Sequence, residues 1–137
     1  MLEGKRILVI DADESQNRAV SQLLLQAGAC PVVVKTAEDA IALVRDNEFD
    51  LLLTDLRLPA MNGYELCKAL EGEPRLTGIP IVAMSINPFI NSINIAICPN
   101  VVDFIRKPFR SEELIEVIKR VLSGKPGLFS RMARRRA

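Results

Sequence analysis

Histidine and tryptophan are absent from this sequence of 137 residues, and tyrosine occurs only once. Without histidine, the chain cannot build a Ser-His or Cys-His nucleophile. The three cysteines (Cys30, Cys67 and Cys98) lack the spacing of metal ligands, so we expect no zinc site. An odd number of scattered cysteines is typical of a reducing compartment, and we therefore expect a cytoplasmic protein.

Long apolar runs are also missing. The N-terminal stretch MLEGKRILVIDADES has too short an apolar core for a signal peptide, and acids interrupt it early. Residues 79–98 are long enough to span a membrane, but Pro88 and several asparagines and serines lie within them. Because a spanning helix is predominantly apolar, we expect a buried strand followed by a helix here, and no membrane partner.

The formal net charge is only +1, but it is distributed unevenly. All 17 acids lie between Glu3 and Glu116, whereas the last seven residues contain four arginines. We expect one domain over residues 1–124 and a basic tail or linker over residues 125–137. So few arginines beside an acidic body do not predict nucleic-acid binding through this domain.

Short apolar runs alternate with longer segments of helical spacing. The short runs predict buried strands at 6–10, 31–34, 50–54, 79–84 and 101–105. The longer segments predict helices at 14–27, 37–46, 63–71, from Asn87 onwards, and at 112–123. This fivefold βα order predicts an α/β protein with a five-stranded parallel sheet and helices on both faces.

Turn and cap residues support these boundaries. Thr36, Asn62 and Ser111 are suitable N-caps, while Gly28 and Gly124 are suitable helix stops. We interpret Asp103 and the pair Glu112–Glu113 as solvated charges, the pair being favourable at a helix N-terminus.

Four polar residues follow the predicted strands at their carboxyl ends. They are Asp11, Asp55, Ser85 and Lys107. Ligands of such sheets bind outside the carboxyl ends of the strands, so these side chains define the candidate site. Two acids, a hydroxyl and a lysine suit phosphoryl transfer to a carboxylate, which is already ionised at neutral pH and needs mainly charge neutralisation.

The stretch ILVIDADES at residues 7–15 leaves two chemistries open. In one, Asp11 is a nucleophile and Asp13 an acid/base. In the other, the acids hold a metal such as Mg²⁺, which prefers hard oxygen ligands, and the reactive aspartate lies elsewhere.

The motif DLRLPAMNG at residues 55–63, with Ser85 and the KPF sequence beginning at Lys107, resembles the receiver domain of two-component response regulators. The resemblance covers residues 5–123 and implies the doubly wound, flavodoxin-like (βα)5 fold. It implies a phosphoacceptor regulatory domain rather than an enzyme, with Mg²⁺ as cofactor. Its partner would be a histidine kinase or a histidine phosphotransfer protein.

By this resemblance, Asp55 is the phosphoacceptor, Lys107 pairs with it, and Ser85 is the switch hydroxyl. Phe104 is the aromatic residue whose rotamer follows Ser85. The metal shell would include Asp11, Asp55 and the backbone carbonyl of Arg57. Pro108 matches a cis-peptide position of the family.

Two positions depart from the family pattern. Receivers usually place two adjacent acids after the first strand, but here Ala12 follows Asp11, and Asp13 would reach the site only if the loop shifts. We therefore expect weakened Mg²⁺ affinity. Ile86 follows the switch serine where a small residue is common, and it would crowd an incoming phosphoryl group.

Residues 76–102 contain no charged side chain. The outer positions of the helix predicted after Asn87 are Asn91, Asn94, Ile95 and Cys98. This face is either a solvated asparagine surface or an interface for self-association or an output partner.

Two other functions fit part of the pattern. A degenerate receiver would act as an interaction module without phosphorylation. A haloacid-dehalogenase-type phosphatase would use Asp11 as its nucleophile, because IDADES is similar to the first motif of that family, but the Asp55 motif would then have no role.

Overall fold

The computed structural model describes residues 2–55, 57–58, 61–62, 65, 68–69, 78–86 and 101–124. Within these residues the elements follow in the order β1 Arg6–Ile10, α1 Glu14–Gln26, β2 Cys30–Val34, α2 Ala37–Asp46, β3 Leu51–Asp55, β4 Arg57–Leu58, β5 Met61–Asn62, β6 Ile81–Ser85, β7 Val101–Arg106 and α3 Ser111–Leu122. Residues 65, 68 and 69 are helical, within the helix predicted at 63–71. The helix predicted after Asn87 and the tail at 125–137 lie outside the described residues.

The main sheet confirms the predicted architecture. Among the described residues, five parallel strands pair in the order β2-β1-β3-β6-β7, and β4 pairs with β5 in a short antiparallel ribbon. Since β1 lies between β2 and β3, the chain winds first to one side of β1 and then to the other. This reversal leaves the carboxyl ends of β1 and β3 side by side.

Both faces of the central strands are buried, which explains their nearly continuous apolar sequence. In β1, Leu8 and Ile10 pack in a cluster with α2, while Ile7 and Val9 pack in a second cluster with α1 and α3. This alternation is the two-residue period of a strand. The two cores therefore hold the sheet between helices and fix the position of each strand end.

Local caps set most helix boundaries as the sequence predicts. Thr36 is the N-cap of α2, and its hydroxyl accepts a hydrogen bond from the backbone N–H of Asp39. Gly28 follows α1 with a φ of 92°, a conformation that favours glycine. The prediction for Ser111 was wrong. Arg110 is the N-cap of α3 and Ser111 its first helical residue, because Arg110 already has extended backbone dihedrals.

Asp103 is not a solvated charge as predicted. Its exposed fraction is 2%, and its Oδ2 atom lies 3.7 Å from Nη1 of Arg120 on α3. The cause is an irregularity in β7, where the pairing with β6 shifts by one residue at Val102. The shift places Asp103 on the α3 side of the sheet together with Ile105, a position that the sequence pattern does not reveal.

No helix in the described part of the chain has the length and apolar character needed to cross a membrane.

Candidate functional site

The four residues selected from the sequence lie at one edge of the sheet. Asp11 follows β1, Asp55 ends β3, Ser85 ends β6 and Lys107 follows β7. These strands are consecutive neighbours in the sheet. Parallel neighbouring strands bring their carboxyl ends to the same edge, so residues up to 96 positions apart converge.

Lys107 joins the two acids. Its Nζ atom lies 2.7 Å from Oδ2 of Asp11 and 2.7 Å from Oδ2 of Asp55. The side chains of Lys107, Asp11 and Asp55 are 12%, 3% and 14% exposed. One ammonium thus pairs with two nearly buried carboxylates and offsets part of their mutual repulsion.

The charge of Lys107 is stabilised by this pairing. Burial by itself lowers the pKa of the ammonium, but hydrogen bonds and attraction from Asp11 and Asp55 outweigh burial and raise the pKa above its ordinary value. Lys107 is therefore a permanent positive charge at neutral pH.

The backbone around Lys107 directs its side chain toward the acids. The peptide bond between Lys107 and Pro108 is cis, which confirms the prediction. The backbone N–H of Lys107 donates a hydrogen bond of 2.7 Å to the carbonyl of Ser85. The end of β7 is thereby tied to the end of β6, and Ser85 itself is buried beside the lysine.

Asp11 and Asp13 have different partners. Oδ1 of Asp11 accepts the backbone N–H of Asp13 at 2.9 Å, while its Oδ2 faces Lys107. Asp13 is exposed, and its Oδ1 accepts the backbone N–H groups of Ser15 and Gln16 as the N-cap of α1. The Asp13 carboxylate therefore serves as the N-cap of α1 in this structure.

The oxygen donors present suit a divalent cation only in part. Asp11 and Asp55 offer two carboxylates, and Mg²⁺ commonly binds one or two carboxylates and keeps several waters. Within the described residues, no group of three or more His, Cys, Asp or Glu side chains is arranged to hold a metal ion. Arg57 lies in β4 with its backbone paired to Asn62, and the metal-binding role of its carbonyl stays a prediction.

Two further predicted residues flank the site. Phe104 is half-buried and packs against the cluster on the α2 side. Ile86 follows Ser85, and 61% of its surface is exposed. It lies at a groove of about 550 Å³ that also contains Lys107, Asp13 and Phe109. Ile86 therefore lies beside Lys107 in a groove whose lining does not include Asp11 or Asp55.

Asn17 is a site residue that sequence reasoning missed. It lies on the buried stripe of α1 with Val20 and Leu24, and its Nδ2 donates a hydrogen bond of 2.7 Å to the carbonyl of Asp11. The sequence did contain a signal for Asn17, namely a polar residue on an otherwise apolar helical stripe.

The predicted face formed by Asn91, Asn94, Ile95 and Cys98 lies outside the described residues. It remains a prediction from the sequence.

Comparison with known proteins agrees with this geometry. Residues 7–119 match the response regulator receiver domain family. The DNA-binding response regulator MtrA of Mycolicibacterium paratuberculosis is 31% identical over 115 residues, which are 84% of this chain and 50% of MtrA. The chain spans about half the length of the curated relatives it matches.

Solved structures share the fold along nearly their whole length. A CheY-like response regulator receiver domain protein from Methanospirillum hungatei superposes with a TM-score of 0.80 at 29% identity, covering 89% of this chain and 96% of that one. The receiver domain of a sensor histidine kinase from Pseudomonas aeruginosa has a TM-score of 0.80 at 22% identity, covering 88% and 98%. The latter structure contains a magnesium ion coordinated in its active-site cleft.

Proposed function

Because this chain belongs to the response regulator receiver domain family, we propose that Asp55 is the residue on which it accepts a phosphoryl group. The observation that carries the proposal is the contact of Lys107 with both Asp55 and Asp11 at 2.7 Å. An ammonium held beside a carboxylate at a strand end favours the transfer of an anionic phosphoryl group to that carboxylate.

The proposed reaction needs little from the protein beyond position and charge. An Asp55 oxygen attacks phosphorus, the new P–O bond forms, and the bond to the donor's histidine nitrogen breaks with its electron pair leaving on the imidazole. Lys107 offsets negative charge on the phosphoryl oxygens. The hydroxyl of Ser85 donates a hydrogen bond to one of those oxygens. Since this chain has no histidine, the donor is a histidine kinase or phosphotransfer protein.

Receiver domains as a family use Mg²⁺. In this chain Asp11, Asp55 and the carbonyl of Arg57 would hold the ion, which when bound neutralises charge on the phosphoryl group. We propose that its affinity is low, because Ala12 contributes no oxygen and Asp13 is engaged as a helix cap.

The consequence of phosphorylation would be a change of binding surface. Ser85 would move toward the phosphoryl group, Phe104 would follow, and the equilibrium of the adjoining loop and helix would shift. The charge-free face after Asn87 is the proposed contact for an output partner or a second copy. We further propose that residues 1–124 act as a regulatory domain without an enzymatic reaction of their own. Residues 125–137 would form a tail or linker. The protein would work in the cytoplasm beside its kinase.

A degenerate receiver is the second candidate. It is favoured by one observation, namely that Lys107 already pairs with both acids while Ala12 removes a usual metal ligand. The phosphatase alternative gains no support, since the carboxylate of Asp13 is engaged by two helix N–H groups.

The deciding experiment is mass spectrometry of the intact protein after exposure to acetyl phosphate or a phosphorylated histidine donor, with and without Mg²⁺. We expect one added phosphoryl group in the native protein and in the control Asp46→Ala, which alters an exposed acid of α2. We expect none in Asp55→Ala. Labelling that survives in Asp55→Ala but disappears in Asp11→Ala would identify Asp11 as the nucleophile. Complete absence of labelling in the native protein, with partner binding that Asp55→Ala leaves unchanged, would establish the degenerate receiver.

A further inference from the structure

We propose that Asn17 is a positioning residue of this site, which holds the loop between β1 and α1 so that Asp11 faces Lys107 and Asp13 stays in its cap. The proposal rests on the proposed function for its consequences in phosphorylation. The role of Asn17 in holding the loop is argued from hydrogen bonds alone and does not depend on phosphorylation.

Asn17 binds the loop at both ends. Its backbone N–H donates to the carbonyl of Asp13 at 3.0 Å, and its Nδ2 donates to the carbonyl of Asp11 at 2.7 Å. The loop contains only Asp11, Ala12 and Asp13, so these two bonds leave it little freedom to shift. One residue thereby fixes the backbone of both acids near the site.

The same side chain also connects the loop to the neighbouring strand. Nδ2 makes a longer contact of 3.4 Å with the carbonyl of Val34, which in turn accepts the backbone N–H of Asp11 at 3.1 Å. The ends of β1 and β2 are thus joined through one amide group. The direction of Asp11 depends on this junction, because Asp11 is the first residue after β1.

The chemistry of Asn17 indicates that it serves as a donor. The residue is only 5% exposed, and among the described residues its Oδ1 atom has no hydrogen-bond partner while Nδ2 has two. An apolar residue of similar size would fill the stripe beside Val20 without burying an unpaired oxygen. What such a residue lacks is the N–H group for the carbonyl of Asp11.

The size of the effect of replacing Asn17 can be estimated from other residues that orient a ligand without touching the bound species. A group that orients a ligand without touching the bound species changes its affinity or activity by about 10- to 100-fold when removed. Without Asn17, Asp11 would sample directions away from Lys107, and the N–H of Asp13 would lose its fixed acceptor.

The test compares Asn17→Leu and Asn17→Ala with two controls. Val20→Ala removes buried volume from the same stripe of α1 and reports on destabilisation, since Val20 is 2% exposed and its apolar side chain makes none of the loop's hydrogen bonds. Gln22→Ala changes an exposed residue of the same helix.

The first measurement is hydrogen exchange of the Asp13 backbone amide by ¹⁵N NMR in metal-free protein. The second is the Mg²⁺ dissociation constant from shifts of the Asp11 and Asp55 signals, and the third is the labelling rate with acetyl phosphate.

In both Asn17 variants we expect faster exchange of the Asp13 amide and a Mg²⁺ dissociation constant raised about tenfold, with the controls close to the native protein. If Asn17→Leu does not fold, Asn17→Ala is compared with Val20→Ala at matched stability. Native exchange and native Mg²⁺ affinity in a folded Asn17 variant would overturn the proposal, as would equal changes in Val20→Ala. If the native protein takes no label, the proposed phosphorylation fails, while the exchange and Mg²⁺ measurements still decide the role of Asn17.

Discussion

The ammonium of Lys107 lies equally close to Asp11 and Asp55, at 2.7 Å from an oxygen of each. The three side chains come from three strands of the sheet and are at most 14% exposed. The shared lysine holds the two carboxylates around one positive charge in the absence of phosphate. The effects of substitutions in the site depend on this arrangement.

Removing the lysine charge should destabilise the fold. In Lys107→Met the two carboxylates remain nearly buried and lose the ammonium that lies 2.7 Å from each. Breaking a buried pair on one side costs about 3 kcal/mol. We expect the free energy of unfolding, measured by urea denaturation at pH 7, to fall by that amount. Lys119→Met, which alters an exposed lysine of α3, should change it by less than about 0.5 kcal/mol. Equal stability of the two variants would show that the triad contributes nothing to folding.

Ala12→Asp should strengthen Mg²⁺ binding. Ala12 is exposed and adjoins Asp11, so a carboxylate there adds a hard oxygen ligand without disturbing the core. We expect the dissociation constant measured by isothermal titration to fall about tenfold, which corresponds to roughly 1.4 kcal/mol. Ala19→Asp is the matched control, because it adds the same charge at an exposed position of α1. A comparable gain in the control would mean that net charge, and not a new ligand, is responsible.

Asp13→Ala should lower stability without weakening Mg²⁺ binding. The Asp13 carboxylate accepts the N–H groups of Ser15 and Gln16. Loss of such an N-cap costs about 1 kcal/mol. Thermal denaturation should show this loss, and Asp13→Ser should restore most of the stability because serine also caps. A marked loss of Mg²⁺ affinity in Asp13→Ser would instead place the Asp13 carboxylate among the metal ligands.

The sequence was sufficient for the sheet and for the four strand-end residues that the structure brings to one edge. Apolar runs gave the five parallel strands, and the rule that ligands bind at their carboxyl ends selected Asp11, Asp55, Ser85 and Lys107 before any contact was known. These predictions depend on parallel pairing of the strands, which the alternation of short strands with longer helices favours.

Other features depend on distances that periodicity does not encode. The sequence placed Lys107 near Asp55, but not in simultaneous contact with Asp11. Asp103 is buried because β7 shifts its register at Val102, and a one-residue irregularity leaves no trace in an apolar pattern. Asn17 resembles an ordinary helix residue until the carbonyl of Asp11 is located.

Above pH 7, the contribution of Lys107 to stability should stay constant until the alkaline range is reached. Its folded-state pKa is raised, since the attraction of Asp11 and Asp55 exceeds the effect of burial. The contribution is therefore fully present below the unfolded pKa of about 10.4 and disappears as the pH rises through the higher folded pKa. In EDTA, the stability difference between the native protein and Lys107→Met should be constant from pH 7 to about pH 10 and then shrink. A difference that already declines between pH 7 and pH 9 would disprove the assigned direction.

Ile86→Ala should accelerate labelling by acetyl phosphate. Ile86 directly follows Ser85 and lines the groove that contains Lys107, so a smaller side chain should leave more room for a phosphoryl donor beside Lys107. The same opening admits water, so hydrolysis of the aspartyl phosphate should also become faster. Both rates can be followed by mass spectrometry of quenched samples. Val33→Ala, which shortens an exposed branched residue on the edge strand β2, is the control and should leave both rates unchanged. Unaltered rates in Ile86→Ala would mean that a side chain so largely exposed leaves the approach open, and that any slow labelling of the native protein originates at Ala12 and the metal site.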